Sequence, residues 1–246
     1  LSIISSIGID HTEFLGTTID SIALEKAGVM RPFCSCIYAD INPPSSLLSY
    51  AKKNGTSFLY NQNDFSFKIT HDSWTWNGKN GTTIDLPLLP LIGDFQYNHA
   101  GAALQALEII EPNIFHSIDK IRTGIENIVL LGRFQVYSKK PEIILDVAHN
   151  ADSALKLKIN LDKFPKKNTI AIVGFLEDKD VYSLIKPFSS IIDQWYCGTI
   201  ENKRGMNSDE IKARMKGIID DSLIQTFRNM NQTFLSALQF PSILYR

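Results

Sequence analysis

Short apolar runs alternate along the chain with segments whose apolar residues recur at helical spacing. Runs 1–9 and 34–40 are nearly continuous in apolar residues, as are strands of a parallel sheet covered on both faces. Segment 18–27 follows the first run with apolar residues on one helical face, and Thr17 is its predicted N-cap. This alternation predicts an α/β fold.

One position on that helical face is charged. Lys26 continues the stripe formed by Ile19, Ile22 and Ala23. A lysine at the edge of an apolar stripe commonly extends its ammonium group to solvent. A lysine desolvated in a cleft has instead a lowered pKa and can react with carbon dioxide or a carbonyl. The residues alone leave both interpretations open.

In the middle of the chain the apolar period changes from helical to alternating. Segments 65–69 and 73–86 alternate around an Asn-Gly turn, which predicts a β-hairpin. A helix is predicted over 98–110, with Gln96 and Asn98 at its start. Amide side chains there can read the edge of a nucleotide base, but N-capping by Asn98 accounts equally for its position.

The strand–helix alternation restarts near residue 130, where we place a domain boundary between 1–130 and 131–246. An apolar strand ending in "DVAHN" precedes a predicted helix over 151–164, and two further strand-like runs follow. This arrangement predicts a doubly wound second domain.

Polar side chains follow several of the predicted strands. Ligands of α/β proteins collect at the carboxyl ends of strands, so Asp146 and His149 are candidate site residues. His11 follows the first strand and could hold a metal, or could belong to a polar turn. Arg133 carries a forked cation suited to phosphate, although a surface ion pair explains it as well. The run 178–180, "DKD", allows either a site or a helix cap.

Composition excludes some classes of partner. The 246 residues include 25 basic and 26 acidic side chains, for a formal net charge of −1, which gives no reason to expect a nucleic-acid or membrane partner. Three cysteines are an odd count for a disulfide framework and favour a cytoplasmic location. No run approaches the length of a membrane span.

Taken together, five segments resemble the folylpolyglutamate synthase and dihydrofolate synthase family of the Mur ligase superfamily. They are "SIGIDHTEFLGTTIDSIALEKAG", "GDFQYNHAGAAL", "GRFQ", "ILDVAHN" and "VGFLEDKDV". The resemblance implies part of a central ATP-binding domain followed by a Rossmann-like C-terminal α/β domain. It also implies ATP-dependent addition of L-glutamate to dihydropteroate or folate through an acyl phosphate, by a cytoplasmic monomer.

The resemblance assigns roles by position. His11 corresponds to a magnesium-binding histidine, and Lys26 to a lysine that is carbamylated in family members and would therefore be buried near the metal. Asn98 corresponds to an asparagine near the adenine of ATP. Arg133 corresponds to an arginine on the ATP phosphates. Asp146 and His149 correspond to residues on the nucleotide and the incoming glutamate, with His149 and Lys26 in catalytic roles.

The sequence also departs from the family pattern. It contains no Gly-x-Gly-x-x-Gly and no Walker A motif, so it holds no phosphate cradle of its own. We expect the chain to be part of a longer protein and to be inactive alone. A peptidoglycan-precursor Mur ligase and a non-catalytic nucleotide-binding module are the alternatives.

Overall fold

The computed structural model describes residues 1–9, 15–165 and 167–239. The chain forms two compact units, Leu1–Arg133 and Phe134–Arg246. The division lies a few residues beyond the boundary placed from the sequence. Each unit has its own buried apolar core.

The first unit begins with a parallel sheet in the order β1-β2-β3. Its elements are β1 (Ser2–Ile4), α1 (Ile19–Ala27), β2 (Ser35–Tyr38), α2 (Ser45–Asn54) and β3 (Ser57–Tyr60). Cys36, Ile37 and Tyr38 are consecutive and all buried, so β2 is covered on both faces. The first strand is much shorter than the predicted run 1–9, because the ladder with β2 extends only over Ser2–Ile4.

An antiparallel sheet and two helices complete the first unit. They are β4 (Ser66–Ile69), β5 (Ser73–Asn77), β6 (Thr83–Pro87), α3 (Phe95–Ile110) and α4 (Ile118–Glu126). The predicted hairpin is confirmed as the β5–β6 pair. Trp74 and Trp76 alternate with polar residues along β5 and are fully buried. Trp76 Nε1 donates to the carbonyl of Gly101 in α3 at 3.1 Å, which fastens the sheet to the helix.

The tip of the β5–β6 hairpin is bonded to two buried polar residues of α3. The backbone N–H of Lys79 donates to Gln105 Oε1 at 3.0 Å, and that of Asn80 donates to Glu108 Oε2 at 3.3 Å. A Cβ on Gly78 would lie 2.4 Å from Glu108 Oε1, so a side chain at Gly78 would displace the carboxylate. The turn therefore depends on the helix as well as on its own residues.

The second unit opens with an antiparallel pair and continues as a parallel sheet in the order β11-β10-β9. Its elements are β7 (Gln135–Lys139), β8 (Glu142–Leu145), α5 (Ala151–Leu161), β9 (Ile170–Val173), α6 (Val181–Ile185), β10 (Gln194–Gly198), α7 (Ser208–Met215), β11 (Ile224–Phe227) and α8 (Met230–Leu238). Trp195, Tyr196 and Cys197 are consecutive and buried on the central strand. The predicted α/β class is confirmed.

The starts of α1 and α3 differ from those predicted from the sequence. Thr18, and not Thr17, caps α1, because Thr18 Oγ1 accepts from the Ser21 amide while Ser21 Oγ accepts from the Thr18 amide. The helix predicted over 98–110 begins at Phe95, after Asp94, so Asn98 is not its N-cap.

Candidate functional site

Asn98 lies in the first turn of α3 and is bonded to a residue far away in the sequence. Its Oδ1 accepts a hydrogen bond from Asn61 Nδ2 at 3.1 Å. The capping interpretation of Asn98 is therefore wrong, since its acceptor oxygen is directed to Asn61 and not to a backbone amide of its own helix. Within the described residues, Asn98 Nδ2 makes no hydrogen bond.

Asn61 is a functional candidate that the sequence did not indicate. It follows β3 at the carboxyl end of the first sheet and is fully buried, with 0% of its surface exposed. Its Nδ2 is bonded to Asn98, but its Oδ1 has no partner among the described residues. A buried polar atom without a partner costs about 1–3 kcal/mol, so this arrangement is not explained by stability.

The turn that carries Asn61 is fixed by its neighbours. Asp64 Oδ2 accepts from the Tyr60 amide at 3.0 Å, and the Gln62 amide donates to the Phe65 carbonyl at 2.7 Å. Gln62 adopts a left-handed backbone conformation with φ of 65°. These bonds fix the position of Asn61 next to Asn98 of α3.

Lys26 does not lie where the resemblance implied. The buried residues of α1 are Ile22, Ala23 and Ala27, and the side chain of Lys26 is exposed beside them. The expectation that Lys26 is buried is therefore wrong in this structure, because the helix turns its adjacent small residues to the core and leaves the lysine at the edge. His11, the predicted metal ligand, lies outside the described residues.

Asp146 has a clear local role in the loop after β8. Its Oδ2 accepts from the Phe134 amide at 2.8 Å and its Oδ1 accepts from the Ala148 amide at 2.8 Å. Phe134 has a φ of 44°, which a bulky residue rarely adopts, and its buried ring packs against Phe164. Asp146 thus holds the backbone that directly follows Arg133, whose own side chain is exposed.

His149 lies on the same loop, just before α5. Its Nδ1 lies 2.9 Å from the Val147 carbonyl, and its backbone amide donates to Ser153 Oγ at 3.0 Å. Because a carbonyl only accepts, the neutral ring carries its proton on Nδ1 and its lone pair on Nε2. Asn150 caps α5 reciprocally with Ser153, which fixes the end of the loop.

The run 178–180 follows β9 and is mainly structural. Asp178 pairs with Lys179 at 3.1 Å and with Arg204 at 2.9 Å. The hydrogen bond from Lys179, followed by that from Arg204, lowers the pKa of Asp178 below its ordinary value. Asp180 caps α6 through the Ser183 amide, so the capping alternative is confirmed for Asp180.

A polar cleft of about 350 Å³ lies at the carboxyl end of β10 and β11. Thr199 Oγ1 accepts there from the Ser208 amide at the first turn of α7, at 3.0 Å. The lining residues are Thr199, Asn207, Ser208, Asp209, Thr226, Phe227 and Arg228.

The two buried cysteines are not candidate nucleophiles. Burial raises the pKa of the Cys36 thiol, and it raises the pKa of Cys197 to about 12. Both thiols therefore stay protonated near neutral pH and contribute to the packing of their units.

The residues present fit the two predicted cofactors unequally. Asn98, with the buried Asn61 beside it, offers directed amide groups to a nucleotide base. No group of three His, Cys, Asp or Glu side chains able to hold a metal occurs in ranges 1–9, 15–165 and 167–239. Those ranges do not form a magnesium site by themselves, and we assign no chemical step to a metal.

Comparison with known proteins finds similarity along both units of the chain. The family described as "Mur ligase, glutamate ligase domain" matches residues 132–240. The dihydrofolate synthase/folylpolyglutamate synthase of Escherichia coli K12 is 32% identical over 231 residues, which are 92% of this chain and 53% of that protein. Along most of its length this chain is therefore similar to the folylpolyglutamate synthase/dihydrofolate synthase family. It spans about half the length of the curated relatives it matches.

Solved structures of folate synthases are also similar to this chain in fold. The structure "E.coli FolC in complex with DHPP and ADP" has a TM-score of 0.83 at 26% identity, over 98% of this chain and 55% of that chain. The bifunctional enzyme of Yersinia pestis, complexed with AMPPNP and Mn ion, has a TM-score of 0.80 at 28% identity, over the same shares of the two chains. The predicted Mur-ligase-type architecture is confirmed.

The described helices include none long and apolar enough to cross a membrane.

Proposed function

We propose that this chain is part of an ATP-dependent ligase that adds L-glutamate to dihydropteroate or folate. The observation that carries the proposal is the similarity to a dihydrofolate synthase/folylpolyglutamate synthase over 92% of the chain. The match of residues 132–240 to a glutamate ligase domain supports the choice of amino acid. We further propose that the protein acts in the cytoplasm as a monomer, without a nucleic-acid or membrane partner.

The proposed reaction forms an amide from a carboxylate and an amine. ATP supplies the phosphoryl group that activates the carboxylate of dihydropteroate or folate as an acyl phosphate. The amine of glutamate then attacks the acyl carbon, and phosphate leaves. Groups of this chain contribute by binding, orienting and proton transfer.

In the first unit, Asn98 would contact the base of ATP. Its half-buried amide at the start of α3 is oriented by Asn61, so its direction is set before a ligand arrives. Arg133 would contact the phosphates, for which its planar fork with several N–H donors is suited.

In the second unit, His149 would accept a proton from the incoming ammonium group of glutamate. The contact of Nδ1 with the Val147 carbonyl keeps the accepting lone pair on Nε2. Asp146 would act by shaping this loop, because both of its carboxylate oxygens accept from backbone amides.

Lys26 keeps its proposed catalytic role near the metal, although it is exposed in this structure. The neutral amine of a lysine reacts with carbon dioxide to give a carbamate anion and a proton, and the carbamate would be a ligand suited to magnesium. We propose that Lys26 contributes in this way together with His11.

The test uses the enzyme expressed from its complete gene. The enzyme is incubated with ATP, L-glutamate and either dihydropteroate or tetrahydrofolate, and mass spectrometry follows the product. We expect a product heavier by one glutamyl residue, formed only when all substrates are present. Activity on a muramoyl-peptide precursor alone would support the Mur alternative, and ATP binding without any ligation would support the non-catalytic module.

A further inference from the structure

The buried amide of Asn61 contacts Asn98, the candidate contact of the first unit for the base of a nucleotide. Its Nδ2 donates to Asn98 Oδ1 at 3.1 Å across 37 residues of sequence. An asparagine amide has one accepting and one donating end. Asn61 uses one lone pair of Asn98 Oδ1 and thereby fixes which end of the amide is the donor; the Nδ2 group makes no hydrogen bond within the described residues and is left for a ligand.

Stability alone does not account for an asparagine at this position. Asn61 is completely buried, and its own Oδ1 has no partner in the part of the chain that the structure describes. An apolar residue of similar shape would avoid the cost of that unpaired oxygen. The polar side chain is therefore better explained by the hydrogen bond that its Nδ2 donates to Asn98.

The surroundings leave Asn61 little freedom. Its backbone amide donates to the Tyr38 carbonyl at 3.3 Å, and it forms a bridge with Phe65. The Asp64 carboxylate closes the same turn through the Tyr60 amide at 3.0 Å. A side chain held this firmly can fix the rotamer and the amide orientation of the residue it contacts.

We propose that Asn61 is a positioning residue for nucleotide binding, which orients Asn98 so that Nδ2 donates to an acceptor nitrogen of the base. The proposal rests on the proposed function, because it assumes that Asn98 contacts the base of ATP. It makes Asn98 Nδ2 the group that donates to the ring.

Replacing the donor of Asn61 by an acceptor tests the orientation directly. In Asn61→Asp, a carboxylate faces Asn98 Oδ1, so Asn98 must turn its amide and present Oδ1 to the ligand. In the complete enzyme we expect the KM for ATP to rise on the order of 10-fold, while kcat and the KM for glutamate stay within about 2-fold. Asn113→Asp is the matched control, because it makes the same change at an exposed position of the first unit, beyond the C-terminal end of α3.

A double-mutant cycle separates positioning from a general structural role. With Asn98→Ala in place, Asn61→Asp should cause no further rise in the KM for ATP, since the residue it orients is gone. The proposal would be overturned if the two substitutions raised the KM for ATP by factors that multiply in the double mutant. It would also be overturned by an Asn61→Asp enzyme whose KM for ATP equals that of the control, or by one in which all constants change together.

A second variant, Asn61→Leu, tests the proposal if Asn61→Asp does not fold. Asn61→Leu removes both polar atoms at nearly constant volume, and we expect it to keep the thermal midpoint while raising the KM for ATP. An unchanged KM in folded Asn61→Leu would overturn the proposal. If the unmutated enzyme forms no glutamyl product, the proposed function fails first, and the role of Asn61 fails with it.

Discussion

At the residue scale, the carboxylate of Asp146 stabilises an unfavourable backbone conformation. It accepts from the amides of Phe134 and Ala148, and Phe134 has a positive φ. An amide that loses such a charged acceptor must find water or remain unpaired. Asp146 is therefore a structural residue of the second unit whatever its relation to the nucleotide.

We expect Asp146→Ala to lower the free energy of unfolding by about 1–3 kcal/mol. Denaturant unfolding of the 246-residue chain provides the measurement. Asp152→Ala is the control, because Asp152 forms only an exposed helical ion pair with Lys156 among the described side chains. Equal effects of the two substitutions would show that Asp146 holds no strained turn.

Substitution of Lys26 should affect ligation without affecting stability. Because its side chain is exposed, we expect Lys26→Ala to leave the thermal midpoint unchanged. In the complete enzyme the same change should remove most of the ligation, since a carbamate could no longer form. Lys53→Ala, another exposed lysine of the first unit, serves as control. Wild-type rates for Lys26→Ala at saturating magnesium would exclude the carbamate.

At the element scale, an acidic residue ties together the loops that follow β9 and β10. Asp178 bonds Lys179 in its own loop and Arg204 in the next, and the Glu177 amide donates to the Arg204 carbonyl at 2.9 Å. Loops that end neighbouring parallel strands are thereby held side by side. This is the edge at which α/β proteins commonly bind ligands.

The ion pairs of Asp178 predict a pH dependence. Its pKa is lower in the folded than in the unfolded chain, so its contribution is present above an unfolded pKa of about 4 and is lost as pH falls through the folded value. The difference in free energy of unfolding between wild type and Asp178→Asn should be constant near neutral pH and shrink below about pH 4. Glu201→Gln, an exposed carboxylate of the second loop, should show no comparable change. A difference that grows on acidification would contradict this account.

At the scale of the whole molecule, the chain lacks a recognisable phosphate cradle. We expect residues 1–246, purified alone, to release no phosphate from ATP above background, because no glycine-rich loop in this sequence can hold the transferring group. The complete enzyme, assayed with both other substrates, is the positive control. Steady phosphate release by the 246-residue chain would show that its own residues are sufficient.

The sequence predicted the fold class well because the periods of its apolar residues are clear. The alternation around Trp74 and Trp76 predicted a hairpin, and the run around Trp195 predicted a strand, as observed. Helix starts were less predictable, since the pattern predicted Thr17 as the cap of α1, and only the position of Ser21 in space shows that Thr18 has this role.

The candidate site was predictable only in part. Motif spacing indicated Asn98, but its partner Asn61 has no motif, and only the fold brings the two together. For Lys26 the sequence predicted a burial that the structure does not show. A residue next to an apolar stripe of a helix is exposed when the core contacts only its neighbours on that stripe.

The anchoring of the β5–β6 tip to Gln105 and Glu108 has a consequence for local opening. Reverse turns at the surface normally exchange their amide protons quickly, since solvent competes for every donor. Here the protons of Lys79 and Asn80 are held by side chains from the interior of α3. Deuterium should therefore enter this turn only when α3 detaches from it. Amide exchange of Lys79 and Asn80 then measures how often the core of the first unit opens.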